Sequence, residues 1–354
     1  MSTPRDHILS ESRPQVCPMI DASAHILPGP YFDRLAEIAP DKDAIKRWLN
    51  LPVLHDLDAR LTLMRGVGRD YRQILSLSLP AIEAIAGPAD GPALARVAND
   101  CMAEIVAGLP ERFPGFVASV AMNNVPAALA EIRRAVEELG AVGVQVFTNV
   151  NGRALDDPEF WPIFAAMAAY DLPVWLHPTR GATAADYATE ATSKYEIWWT
   201  FGWPYETSVA MSRMVFSRFF VRLPRLKVIC HHMGAMIPFF EGRVGHGWDQ
   251  LGSRSAREDF RPLVAELGRP LDHFKKFVGD TALAGSRAGV ECGLSFFGID
   301  QVVFGTDFPF DPEGGPLFIR EISAAIDALD VSDADRRKIL EGNIRRLTAG
   351  RLRA

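Results

Sequence analysis

Four short hydrophobic runs in this 354-residue chain end beside a side chain that can bind a metal ion or move a proton. The run 19–25 ends on His25 within DASAH, and 172–177 ends on His177 within LPVWLHP. The run 226–231 ends on His231, with His232 next in LKVICHHMG, and 301–304 leads into Gly305, Thr306 and Asp307. Pro309 and Pro312 then forbid further strand pairing. Short apolar runs bounded in this way read as buried strands. A carboxylate at the mouth of a buried strand is costly unless something pairs with it. The histidines at the other strand ends are partners the chain can offer, so the four ends suggest one shared site.

The elements that must position these residues follow from the pattern. Strands are expected at 19–25, 71–79, 115–121, 142–147, 172–177, 226–231, 277–281 and 301–304. Helices are expected at 55–66, 92–109, 126–139, 157–170, 206–221, 286–297, 317–329 and 332–341. Eight short apolar strands alternating with helices indicate an α/β fold, a (β/α)8 barrel. An open doubly wound sheet is the competitor, but the GxGxxG loop that often follows its first strand is absent. Two long insertions, 29–54 and 180–205, follow strands one and five. The first reads as irregular, and the second is rich in aromatics. Residues 1–18 read as a polar arm and 19–354 as a single domain. In a barrel all C-terminal strand ends share one face. His25, His177, His231 or His232, and Asp307 therefore converge without being close in sequence.

Composition narrows the partners. The chain has 38 basic and 44 acidic residues, a net charge of −6, and no basic stripe, which argues against a nucleic-acid partner. No apolar run reaches the length of a membrane span. The first eighteen residues lack a hydrophobic signal region, and Cys17, Cys101, Cys230 and Cys292 form no CxxC pair. Reduced thiols in a cytoplasmic protein are the expectation.

From Asp21 to about Leu347 these segments resemble the amidohydrolase superfamily. The resemblance is to its branch of aminocarboxymuconate-semialdehyde and γ-resorcylate decarboxylases. It rests on DASAHILP at 21–28, LSLSLPAIEAI at 75–85, LPVWLHP at 172–178, LKVICHHMG at 226–234, EGR at 241–243 and FGTDFPF at 304–310. In that branch the first strand carries two metal ligands as His-x-His or Glu-x-His. The matching positions here are Ser23 and His25, and a serine hydroxyl is a poor ligand beside imidazole or carboxylate. The resemblance leaves His25, His177 and Asp307 as ligands of one divalent metal ion, zinc or manganese. Ser23 would leave space for water or a substrate group. His232 matches the catalytic histidine, which places His231 on the opposite side of the strand. Two-metal relatives use a carbamylated lysine on strand four, where this chain has Gln145, so at most one metal is expected.

Arg243 matches an arginine that binds substrate carboxylate, sometimes across a dimer interface, and a guanidinium suits that task. Gln145, Ser23 and Trp199 are the other candidate substrate contacts. The activity so implied is non-oxidative decarboxylation of an aromatic or unsaturated carboxylic acid, with Asp307 and His232 handling the proton. A hydrolase or hydratase using a metal-activated water is the alternative. A metal-free enzyme or an inactive binding homologue is a further one, because of Ser23. A homodimer through 195–205 and 235–250 is also expected.

Overall fold

The computed structural model describes residues 18–38, 46–68, 70–255 and 258–353. Apart from Pro18, the expected arm lies outside the described residues, as do Cys17 and part of the first insertion. Eight strands form the frame: β1 (Met19–Ile26), β2 (Tyr71–Leu77), β3 (Gly115–Ser119), β4 (Gly143–Phe147), β5 (Pro173–His177), β6 (Lys227–Cys230), β7 (Val278–Asp280) and β8 (Val302–Val303). All pair in parallel and in sequence order. The first strand also meets the chain around and beyond β8. Ala22 N–H donates to Phe304 O at 2.9 Å, and His25 N–H to Phe308 O at 2.8 Å. With helices such as Gly91–Gly108, Val125–Glu137, Gly202–Phe216 and Pro316–Asp327 between and after the strands, this is a (β/α)8 barrel.

Side chains alternate along a strand, so each barrel strand splits its residues between two environments. Ile74, Val117, Trp175, Ile229, Val278 and Val303 gather inside the barrel with Ile20 and Ala22. Their neighbours Leu75, Ala118, Val174, Val228, Val302 and Phe304 pack outward in the larger core shared with the helices. β1 breaks this alternation. Its register against β2 shifts between Asp21 and Ala24, and above the shift Ala24 and Ile26 join the outer core. Such an irregularity re-aims side chains, and here it turns both Ser23 and His25 inward.

The first insertion is more regular than its prolines suggest. It forms helices at Gly29–Ile38, Lys46–Leu49 and Pro52–His55. Tyr31 and Leu35 lie four residues apart on one helical face and bury against Leu27, Leu54, Leu94 and Ala98. In the second insertion, Ile197–Thr200 and the start of Gly202–Phe216 give the aromatic stretch helical structure. No helix among the described residues is long and apolar enough to cross a membrane.

Candidate active site

β1, β5, β6 and the turn after β8 bring His25, His177, His231 and Asp307 to the C-terminal mouth of the barrel. One ligand atom from each lies within 4.8 Å of the others. His25 Nε2 is 3.2 Å from Asp307 Oδ1 and 3.3 Å from His231 Nε2. His231 Nε2 is 3.3 Å from the same Asp307 oxygen. The His177 ring centre stands 4.9 Å from that of His25 and 4.7 Å from that of His231.

On the far side of each ring, Nδ1 has its own partner. His177 Nδ1 lies 2.7 Å from Pro178 O, His231 Nδ1 contacts Asp280 Oδ2, and His25 Nδ1 is 3.1 Å from Ser76 Oγ. A carbonyl and an ionised carboxylate only accept, so His177 and His231 donate through Nδ1 and turn a lone pair inward at Nε2 when neutral. Lone pairs facing one another and a carboxylate repel unless a cation sits among them. A tetrahedral ion about 2.1 Å from its ligands sets them roughly 3.4 Å apart, close to the spacing of the His25, His231 and Asp307 atoms. The residues present fit a divalent metal ion.

Electrostatics separate the members of this cluster. Burial, then the neighbouring imidazoles, drives the His177 pKa well below the ordinary histidine value. Burial also lowers His25, outweighing the pull of Asp307. Burial opposes the charged form of His231 too, but the Asp280 and Asp307 carboxylates outweigh it and hold His231 at about 10, so an ion bound at Nε2 would take the place of the proton there. Asp307 lies well below the usual carboxylate range, because hydrogen bonds from His231, His232 and His25 overcome its burial.

Asp307 is two-sided. Oδ1 belongs to the imidazole cluster, whereas Oδ2 lies 3.5 Å from His232 Nε2. The side chains of Asp307 and His232 keep 15% and 19% of their exposure, so this side is open while His25 and His231 are buried. The structure corrects one expectation here: His231 does not point away from the site. Inward parity runs from Ile229 to His231. His232 and Met233 then take φ of 55°, and this left-handed turn brings His232 back to the same face. Trp203, rather than Trp199, abuts these rings: it stacks on His232 at 6.5 Å and meets His177 edge-on at 6.0 Å.

Buried charges brace this arrangement. Asp21 accepts hydrogen bonds from Tyr71 OH at 2.7 Å, Ser23 N at 3.0 Å and Thr306 N at 3.1 Å, and also from Thr306 Oγ1. It thereby ties β1 to the Asp307 turn. Arg60 is fully buried and donates through Nη1 to His25 O at 2.6 Å and through Nε to Gln73 Oε1 at 2.8 Å. Neither Asp21 nor Arg60 was assigned a role from sequence. Asp280 was also missed, although it is a strand-end carboxylate like Asp307.

The remaining candidates separate. Gln145 is buried, donates to Leu77 O at 2.8 Å, and lines a cavity of about 10 Å³ with Ser23, His25, Ser76, Trp175, His177 and His231. Ser23 Oγ donates to Asp280 Oδ2 at 2.5 Å, so the hydroxyl is engaged with a protein carboxylate. Arg243 is exposed and stands 5.9 Å from the Phe240 ring centre; among the described residues no hydrogen bond or ion pair joins it to the cluster within one chain. Trp199 donates to Glu196 Oε2 at 2.8 Å and lies one ring further out than Trp203.

Known proteins share this frame. The chain is 32% identical over 321 residues to the gamma-resorcylate decarboxylase of Polaromonas sp. (strain JS666), covering 88% of this chain and 92% of that one. It is 33% identical over 258 residues to the 2-amino-3-carboxymuconate-6-semialdehyde decarboxylase of Dictyostelium discoideum, covering 73% and 67%. A dihydroxybenzoic acid decarboxylase from Polaromonas sp. JS666, solved with bound manganese and the inhibitor 2-nitroresorcinol, superposes with a TM-score of 0.75. That alignment has 28% identity and covers 94% of this chain and 97% of the other. Residues 20–347 match the family described as amidohydrolase, and the chain belongs to that family.

Proposed function

We propose that this protein is a metal-dependent, non-oxidative decarboxylase, a carbon–carbon lyase acting on an aromatic or unsaturated carboxylic acid. The observation that carries this reading is the division of Asp307, with one oxygen in the imidazole cluster and the other facing His232. His25, His177 and Asp307 would hold one divalent ion, manganese or zinc. When bound, such an ion supplies positive charge that polarises the substrate carboxylate or an adjacent hydroxyl.

The chain's own residues manage the proton. Decarboxylation adds a proton to the carbon that bears the carboxylate, breaks the bond to that group and returns its electron pair to the product. Asp307, anionic at rest, cannot be the standing proton store. His232 contacts its outer oxygen and is partly open to solvent, so it can supply the proton and pass it to Asp307 or to the substrate carbon. Trp203 provides a flat wall beside His232 for a planar substrate. Gln145 lies at the cavity floor. Arg243 is positioned for a role only if a second copy brings it to the mouth, which suits the homodimer expected through 195–205 and 235–250. A cytoplasmic location with reduced thiols remains the accompanying reading.

Turnover of gamma-resorcylate in D2O tests the reaction class. Decarboxylation releases carbon dioxide and leaves one deuterium on the vacated carbon. Hydrolysis or hydration would instead fix solvent oxygen in the product, with no carbon dioxide.

A further inference from the structure

We propose that His231 is the fourth metal ligand of this site, and that Asp280 and Ser23 form the pair that holds it in position. This rests on the reading of the mouth as a one-metal site and specifies which strand completes it. The family pattern has a second ligand on β1 where this chain carries Ser23, which leaves three expected ligands; the geometry points to a fourth just after β6.

Several independent features converge on this assignment. His231 Nε2 is within 3.3 Å of both His25 Nε2 and Asp307 Oδ1, the mutual spacing of ligands around one ion. Its Nδ1 contacts Asp280 Oδ2, and a carboxylate there fixes the tautomer with Nε2 free to bind. Carboxylate–imidazole–metal relays are a recurrent way to aim a histidine and raise its basicity. The same Asp280 oxygen accepts from Ser23 Oγ at 2.5 Å, and Asp280 Oδ1 accepts from Ala282 N at 3.2 Å. Asp280 is therefore held by β1 and by its own turn before it meets His231.

Ser23, Asp280 and the Gly305 backbone are closely packed. Ser23 is buried against Gly305, where an added Cβ would come within 2.8 Å of Ser23 Oγ and 3.1 Å of Asp280 Cβ. A small residue at 305 and a small hydroxyl at 23 let Asp280 approach both strands. Serine at this position is thus part of the support for His231, and replacing it by histidine removes the hydroxyl that holds Asp280.

Metal affinity, rather than turnover, tests this assignment. Zinc-loaded wild-type protein should show three imidazole ligands by X-ray absorption; two would overturn the assignment without any mutation. In competition with a chromophoric chelator, Asp280→Asn should weaken zinc binding by roughly 10- to 100-fold, and His231→Gln by more. Ser23→His should weaken it also. His232→Gln should stay within about threefold of wild type. Circular dichroism of each variant confirms that it is folded. Unchanged affinity in folded His231→Gln and Asp280→Asn proteins would overturn the assignment. These readouts are separate from carbon dioxide release. A protein with three imidazole ligands but no decarboxylation would refute the proposed reaction and leave the ligand set standing.

Discussion

Oδ2 of Asp307 lies 3.5 Å from Nε2 of His232, while Oδ1 of the same carboxylate stays with the buried imidazoles. One side chain thus links a closed, ligand-rich side of the mouth to a side that is partly open to solvent.

Asp307→Asn keeps the shape and removes both the charge and the basic site. If Asp307 both ligates the ion and steers the proton, turnover falls by roughly 10²-fold or more, the low end of general acid–base effects. Steady-state carbon dioxide release measures it. A variant within threefold of wild type would mean that Asp307 only finishes the strand.

His232→Gln separates proton delivery from metal binding. The expected result is a fall in kcat of about 10²- to 10⁴-fold with the metal content per chain unchanged by elemental analysis. Loss of the ion together with activity would move His232 into the ligand set instead.

Glu83 offers a pH test away from the metal. It sits on the short helix Ile82–Ile85 after β2, 5% exposed, and neither carboxylate oxygen has a well-formed hydrogen bond. Burial pushes its pKa up from 4.5 to about 7. A raised carboxyl binds its proton more tightly when folded, so its stabilising contribution is complete below the unfolded value. That contribution is lost as pH climbs to about 7. Glu83→Gln should remove the loss. The difference should be on the order of 3 kcal/mol at pH 8 relative to pH 4, read from urea unfolding at both values. Parallel pH profiles for the two proteins would contradict it.

The exposed surface gives a test of self-association. Tyr195, Phe201 and Tyr205 are 91%, 74% and 55% exposed, and Phe239 78%, all in or beside the segments expected to pair. Aromatic residues are enriched at interaction surfaces. Sedimentation at micromolar concentration should give a dimer. A monomer would also remove any role for Arg243 across an interface.

Much of this was legible before the fold was known, because barrel strands are short apolar runs whose C-terminal ends share one face. His25, His177 and Asp307 were found on that basis and do meet. His231 was assigned the wrong side, although its separation of two from inward-facing Ile229 predicts the right one. What misled was His232, whose inward position depends on a left-handed turn that no spacing announces. Asp280 ends β7 as Asp307 follows β8, so the same strand-end argument would have found it. The register shift in β1, which aims both Ser23 and His25 inward, depends on pairing with β2 and leaves no mark in DASAH. Two helices of the first insertion, Gly29–Ile38 and Pro52–His55, were hidden by prolines that sit in their first turns, where proline is tolerated.

The most direct measurement is carbon dioxide release from gamma-resorcylate by chelator-stripped protein as manganese is titrated back. Activity should be absent without metal and should rise to a plateau at one equivalent per chain. Full activity in chelator, or a plateau only at two equivalents, would contradict the one-metal decarboxylase described here.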